Sequence, residues 1–307
     1  MQVGINELNN LIRCDISSFI DSADREYYDN IMKIAEDVRD NAKQRPIVLI
    51  SGPSGSGKTT TAKILESILD NWGYSTHTLP MDDYFSSLTP EQKKLADEHK
   101  LDLESPDRVD VEFLNAQLDA ISKGVPVRLP KFDFSTNQRY LTDEILERKE
   151  NELVILEGIH ALNPSVVTFD DSHTTRIYIS VRTRIAFEDN SLLHPEKIRL
   201  MRRMLRDKIY RGRKIDHTLR MFDSVQRGEN NFIMPFKHRA THDINTFIKY
   251  EVGVYKDLLL DELKQLPPDK KIDDMIAALT ATEPVSLDCV PEESLIREFI
   301  GDGQFAY

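Results

Sequence analysis

Short runs of almost wholly apolar residues alternate along this chain with longer stretches in which apolar positions recur every three or four residues. Ile47-Val48-Leu49-Ile50, Leu153–Leu156 and Arg176–Val181 are the short runs. Their length and composition predict strands covered on both faces, as in a parallel sheet. Tyr74–Leu79 reads as a further strand. Helical spacing is found over residues 24–43, with Ile31, Ile34, Ala35 and Val38 on one face, until Arg45-Pro46 breaks it. It returns over Thr59–Trp72 (Ala62, Leu65, Ile68, Leu69) and stops at Gly73, a normal residue just past a helix end. Asp110–Lys123, closed by Gly124, and residues 196–211 are further helices. Residues 245–263 read as a late strand edge followed by a helix. Strands alternating with helices predict an α/β fold, a doubly wound parallel sheet with helices on both faces. The chain divides into a helical arm (1–44), a main domain (45–263) and an extension (264–307). The apolar end of the extension, SLIREFIGDGQFAY, is expected to dock on the main domain.

Composition narrows the function. The net charge of −12 argues against a general nucleic-acid binder, which would carry a basic face. No apolar run approaches the ~20 residues of a membrane span. The N-terminus lacks the basic and apolar regions of a secretory signal. Cys14 and Cys289 are far apart and lie in no metal-binding spacing, which fits a reducing, cytoplasmic setting. One segment departs from the acidic balance: residues 197–214 hold nine Lys or Arg against one Asp, a local anion site in an acidic chain.

The clearest chemistry lies in residues 52–59, GPSGSGKT, which match G-x-x-x-x-G-K-[ST]. Gly52, Gly55 and Gly57, with Pro53, Ser54 and Ser56 between them, allow successive backbone N–H groups to curl around an anion. The loop follows a buried strand and feeds a helix N-terminus, whose free N–H groups and dipole favour phosphate. Lys58 then reaches the outer phosphates, the Thr59 hydroxyl is placed for Mg²⁺, and Thr60 completes the cradle. ATP as co-substrate and Mg²⁺ as cofactor follow from this loop.

Phosphoryl transfer also needs a carboxylate near the acceptor hydroxyl and positive charge around the moving group. Asp82 and Asp83 follow the second strand, where an open α/β sheet forms its ligand crevice. An Asp-Asp pair is equally at home in a solvated turn, and position alone does not separate the two. Glu157 ends the LVILE run and suits a metal-holding carboxylate or a turn acid. Arg202, Arg203, Arg206, Arg211 and Arg213 can form a lid over ATP (about 196–214) or a solvated basic helix. No N-K-x-D base-reading motif of a GTPase is present.

The set GPSGSGKTT, DDYF, KFDFSTNQR, LVILEGIHALNP and RRMLRDKIYRGR, in this order, resembles the uridine kinase/phosphoribulokinase superfamily over roughly residues 46–250. The resemblance implies a P-loop kinase fold with a helical lid. It implies Asp82 as catalytic base, with Lys58 and Arg206 beside it in catalysis, and Thr59, Asp82 and Glu157 as the Mg²⁺ site. Arg203, Arg211 and Arg213 would touch the phosphates of ATP. Tyr84, Glu104, Phe132, Asn137 and Arg139 would line the acceptor pocket with Asp82. Three positions depart from the family pattern. Phe132 stands where a Tyr is usual, Asn137 where a His is usual, and Glu104 where an Asp holds the ribose. The implied reaction is ATP-dependent phosphorylation of a nucleoside 5′-hydroxyl, with uridine first. A kinase for a sugar phosphate or pantothenate-like acid and an inactive nucleotide-binding regulator are the alternatives. The expected partners are the small acceptor and ATP, with no nucleic acid and no membrane. Relatives of this kind also include homo-oligomers.

Overall fold

All five residues of Ile47–Ser51 are buried, and they lie at the centre of a five-stranded parallel sheet. Side chains alternate across the strands. Val48, Ile50, Leu153, Ile155, Ile177 and Ile179 join one core, while Ile47, Leu49, Val154, Leu156 and Tyr178 join another on the opposite face. That two-sided burial is why these strands carry apolar residues at consecutive positions.

The computed structural model describes residues 1–97, 102 and 104–305. The chain opens with β1 (Gln2–Gly4), α1 (Ile5–Cys14), α2 (Ile16–Asp40), β2 (Ile47–Ser51), α3 (Lys58–Asn71), β3 (Ser75–Pro80) and α4 (Pro90–Asp97). It continues through α5 (Val111–Ser122), the hairpin β4 (Val127–Asp133) and β5 (Gln138–Leu146), β6 (Glu152–Glu157), β7 (Thr174–Ser180), β8 (Arg184–Ala186) and β9 (Leu192–Leu193). Last come α6 (Pro195–Arg211), α7 (Ile215–Phe232), β10 (His242–Asn245), α8 (Glu251–Lys264), α9 (Lys270–Ala281) and α10 (Arg297–Ile300). The main sheet runs β10-β7-β2-β6-β3, and β1, β8 and β9 form a separate small sheet. The doubly wound parallel sheet expected from the sequence is therefore present, and α6 spans most of the segment expected to act as a lid.

Several elements lack the expected signal. The β4–β5 hairpin exposes Tyr140, Leu141 and Ile145, so it shows no clean alternation of buried and solvated positions. The 25-residue α2 begins well before residue 24, capped by the Asp15 side chain on Ser18 N–H at 3.1 Å. Such a cap is worth ~1 kcal/mol. Among the described residues, no helix is long and apolar enough to cross a membrane.

The N-terminal and C-terminal segments meet through one polar cluster. Tyr250 donates to Asp24 at 2.7 Å, and Ser294 donates to the other Asp24 oxygen at 3.0 Å. Burial outweighs these two hydrogen bonds and pushes the Asp24 carboxyl up from 3.8 to about 6. The folded state thus holds this proton more tightly than the unfolded chain. The linked stability is complete below pH 3.8 and is lost as pH rises through about 6. The Tm of the wild type should therefore fall relative to that of Asp24→Asn over this window. Parallel Tm–pH curves for the two proteins by calorimetry would rule Asp24 out as the linked group.

Candidate active site

The loop between β2 and α3 turns sharply, with positive φ at Gly55 (+73°) and Gly57 (+88°), a region open to glycine. Lys58 opens α3 and is 9% exposed. Its Nζ folds back toward Pro53 O at 3.4 Å and stands 4.0 Å from Glu157 Oε1. The Thr59 hydroxyl lies near the same Glu157 and favours its ionised form. Thr60 donates from its N–H and its hydroxyl to Glu298, near the C-terminus.

Glu157 ends β6, and Asp82 lies in the Met81–Tyr84 turn just past the end of β3; the two strands pair parallel with Pro80 opposite Glu157. Gly158 makes the meeting close: a Cβ there would lie 2.4 Å from Met81 Cβ, so only glycine lets the Met81–Tyr84 turn pack against the end of β6. Asp82 has open surface toward the cleft yet is crowded by protein on its other sides, as expected of a group on a cleft floor. Burial raises its pKa and Asp83 adds to this, against the pull of Lys58, Arg211 and Arg206. Glu157 is pushed up to about 7 by burial, with Asp82 and Glu298 adding to the rise and Lys58 opposing it. The two neighbouring Asp residues take different roles. Asp83 is 7% exposed and anchors the hairpin, accepting from Lys131 Nζ at 3.1 Å and Phe132 N–H at 3.1 Å.

The donors around Thr59, Asp82 and Glu157 are all hard oxygens, two carboxylates and a hydroxyl. Mg²⁺ commonly binds one or two carboxylates and completes its shell with water and substrate phosphates. The raised pKa of Glu157 marks a carboxylate pair that Lys58 alone leaves short of positive charge, so the residues fit the ion.

The lid arginines are organised by one residue that sequence patterning did not single out. Asp207 is fully buried and lies 3.2 Å from Arg206, 3.0 Å from Arg211 and 3.7 Å from Arg213. Burial favours its neutral form, but Arg206, Arg211 and Arg203 outweigh that and hold its pKa below the ordinary value. Arg203 donates to the Ser54 hydroxyl in the P-loop. Burial, with Arg206 next, pushes the Arg203 guanidinium down to about 10, and its Nε has no partner. Arg202 turns into the core, where its Nη1 also donates to the Gly55 carbonyl at 3.2 Å and braces the P-loop from behind. It is fully buried and paired twice to Glu251 at 2.7 and 2.9 Å, so it belongs to the framework and not to a phosphate site.

On the acceptor side the structure corrects one expectation. Tyr84 is 1% exposed and turns into the core, its hydroxyl bonded to Gln117 at 3.0 Å. Its neighbour Phe85, 8% exposed, packs edge-on 5.7 Å from the ring of Phe132, which is itself only 3% exposed, with Phe134 5.1 Å from Phe132. Asn137 sits at the hairpin turn with φ +56°. Arg139 pairs with Asp110 at 2.8 Å and leaves Nη1 buried without a partner. Glu104 lies within the electrostatic reach of Arg203, Lys58 and Asp82, and burial raises its pKa. Two further residues enter here. Arg108 is 8% exposed and stacks over Phe85 and Phe132 at 5.2 and 5.8 Å. His160, 1% exposed, lies against the main chain of Glu104 and Phe232 without a well-formed hydrogen bond, and burial pulls it down to about 4.

The model of the phosphoribulokinase/uridine kinase family matches residues 47–250, from the start of β2 to the start of α8. The chain belongs to this family. Its similarity extends to the uridine kinase of Lactobacillus helveticus, 30% identical over 203 residues, covering 64% of this chain and 85% of that protein. The uridine kinase of Halobacterium salinarum is 27% identical over 192 residues, covering 62% and 76%. Among solved structures, D-glycerate 3-kinase of Cryptococcus neoformans aligns over 68% of this chain and 88% of that one, at 13% identity and a TM-score of 0.45. Membership makes the chain a phosphotransferase acting on a hydroxyl group, with ATP as co-substrate. The matched segment contains the P-loop, Asp82, Glu157 and the basic residues of 199–213, and it excludes β1, α1, the whole of α2 and the residues after 250.

Proposed function

We propose that this family member transfers the γ-phosphoryl group of ATP to the 5′-hydroxyl of a nucleoside, uridine being the first candidate. The observation that carries this reading is the convergence of Lys58, Thr59, Asp82 and Glu157 at the carboxyl ends of β2, β3 and β6, facing Arg203, Arg206 and Arg211. The chain's uridine kinase relatives favour a nucleoside acceptor.

In this mechanism the P-loop N–H groups and Lys58 hold the phosphate chain. Asp82 accepts the proton of the acceptor hydroxyl as its oxygen bonds to the γ-phosphorus and the bond to the β-phosphate oxygen breaks. Its raised pKa suits a proton acceptor. Arg203, Arg206 and Arg211 compensate charge on the equatorial oxygens. Thr59, Glu157 and Asp82 would hold Mg²⁺, which neutralises the phosphate oxygens. Glu104 reaches the sugar hydroxyls, while Phe132, Phe85 and Asn137 flank the base and Arg139 closes the pocket edge.

A second acceptor class is favoured by Arg108. This buried guanidinium makes no hydrogen bond or ion pair among the described residues, and a buried charge is costly when unpaired. An acceptor carrying a carboxylate or phosphate would compensate it. An ADP-release assay with Mg·ATP over uridine, cytidine, ribulose 5-phosphate and pantothenate separates the two classes. Selective turnover of a pyrimidine nucleoside supports the first. Turnover of an acid that drops about 10²-fold in Arg108→Ala, with the KM for ATP unchanged, replaces it with the second. ATP binding without turnover of any acceptor would count against both.

A further inference from the structure

Beyond the catalytic residues, the segment that ends the chain lies directly on the phosphate cradle. Thr60 is the third residue of α3, so its N–H has no partner inside the helix. It belongs to the run of N–H groups that a P-loop offers to phosphate. Here that donor is already engaged. Glu298 Oε2 accepts from Thr60 N–H at 3.2 Å and from the Thr60 hydroxyl at 2.6 Å. Glu298 is 6% exposed.

The contact is supported from both sides. Leu295 covers the P-loop: a Cβ added at Gly57 would meet Leu295 Cδ1 at 2.6 Å. Phe299 lies beneath the Arg202 guanidinium, 5.0 Å from it. Ser294 ties into Asp24 and Tyr250 at 3.0 and 2.7 Å. The segment also holds its own shape, because Arg297 donates to the carbonyls of Leu287, Val290, Pro291 and Gly301. Leu287–Gly301 is thus a preformed hook, seated on the body through Leu295, Ile296 and Phe299, which are fully buried.

A second carboxylate makes an instructive contrast. Glu229 accepts from Ser54 N–H at 3.1 Å, but Arg199 neutralises it through two contacts of 2.6 and 2.8 Å. Glu298 makes no close ion pair among the described residues, and the Arg202 charge, already paired with Glu251, acts on it only at longer range. What holds it is a helix N-terminal N–H, a hydroxyl and the helix dipole, the features that bind phosphate at such a loop. Two anions on one donor at hydrogen-bond distance repel each other.

We propose that the Leu287–Gly301 hook is an internal competitor of the donor nucleotide, with the Glu298 carboxylate occupying phosphate donors at Thr60. Donor binding then requires the hook to withdraw, and whatever stabilises the docked hook lowers nucleotide affinity. The inference rests on reading the P-loop as the donor site. A plain helix cap would behave differently, since its loss weakens folding without improving nucleotide affinity.

The test measures the Kd of Mg·ATP by calorimetry, without acceptor, for the wild type, Glu298→Gln and Leu295→Ala. Hydrogen exchange of residues 287–301 is followed in the wild type with and without Mg·ATP. Glu298→Gln is expected to bind Mg·ATP about 5- to 150-fold more tightly. Leu295→Ala should shift in the same direction, and the hook of the wild type should exchange faster once ATP is bound. Binding by Glu298→Gln where the wild type binds no ATP would support the proposal equally. Unchanged or weaker affinity in Glu298→Gln overturns it. If that variant does not fold, slower or unchanged hook exchange in the wild type does so. Because no acceptor is present, the result stands apart from the kinase reading. Turnover with unchanged Glu298→Gln affinity removes only the hook.

Discussion

Replacing Asp82 with asparagine is expected to lower kcat by about 10²- to 10⁴-fold, the range of a lost general base. Mg·ATP affinity should change far less. Asparagine keeps the shape of the side chain and can still orient a hydroxyl, but it cannot take the proton. Asp82 stands on the cleft floor between Lys58 and the lid arginines, with its pKa raised chiefly by burial. The companion variant Asp83→Asn provides the control. Asp83 binds the hairpin through Lys131 and Phe132, so its loss should act on acceptor KM and stability before it acts on kcat. Steady-state kinetics with saturating ATP measure both. Wild-type turnover in Asp82→Asn would remove Asp82 from the base role.

Lys58→Ala is expected to cut kcat/KM by about 10³-fold or more. Removing one preorganised donor at developing charge typically costs 10²- to 10³-fold in kcat, and Lys58 supplies a full charge. This lysine also sets the state of the carboxylates. It stands 4.0 Å from Glu157 and counters the rise of both Asp82 and Glu157. Its loss therefore weakens the hold on phosphate and favours protonation of the groups that would bind Mg²⁺. A variant that kept wild-type kcat/KM would show that the loop at residues 52–59 does not hold the transferred phosphoryl group.

The two variants probe opposite sides of one cleft, and the hook adds a third partner to it. Glu298 is near enough to contribute to the raised pKa of Glu157 as well as to occupy Thr60. A docked hook therefore bears on both the phosphate cradle and the carboxylate beside it. Kinetic constants for the Asp82 and Lys58 variants are best compared at saturating ATP, where an internal competitor is displaced.

Local pattern was enough for the centre of the molecule. A P-loop is contiguous: strand, glycines, lysine and helix lie within one short stretch, and each shows in the residue types it demands. The parallel strands were legible for a related reason, since burial on both faces leaves an apolar run. Glu157 could be placed because it ends such a strand and Asp82 because it follows the neighbouring, more polar β3, and strand ends in this fold point into the crevice.

Other features depended on which way a side chain turns or on how distant segments meet. Asp82 and Asp83 are chemically identical neighbours, and only the packing of the hairpin assigns one to the cleft and the other to a tether. Tyr84, expected at the acceptor pocket, is likewise placed by packing alone: the tight turn points its side chain into the core, where its hydroxyl meets Gln117. Arg202 shares a helix with the lid arginines yet faces Glu251, a residue 49 positions away. Glu298 reaches Thr60 across 238 positions. Sequence by itself determined the fold class, the phosphate loop and the identity of the charged groups available to it. Tertiary structure alone decided which of those groups face the cleft, which neutralise one another in the core, and that the Glu298 side-chain carboxylate rests on the N–H and hydroxyl of Thr60. Backbone-dictated motifs are local, whereas charge pairing is set by distances in space that sequence separation does not encode.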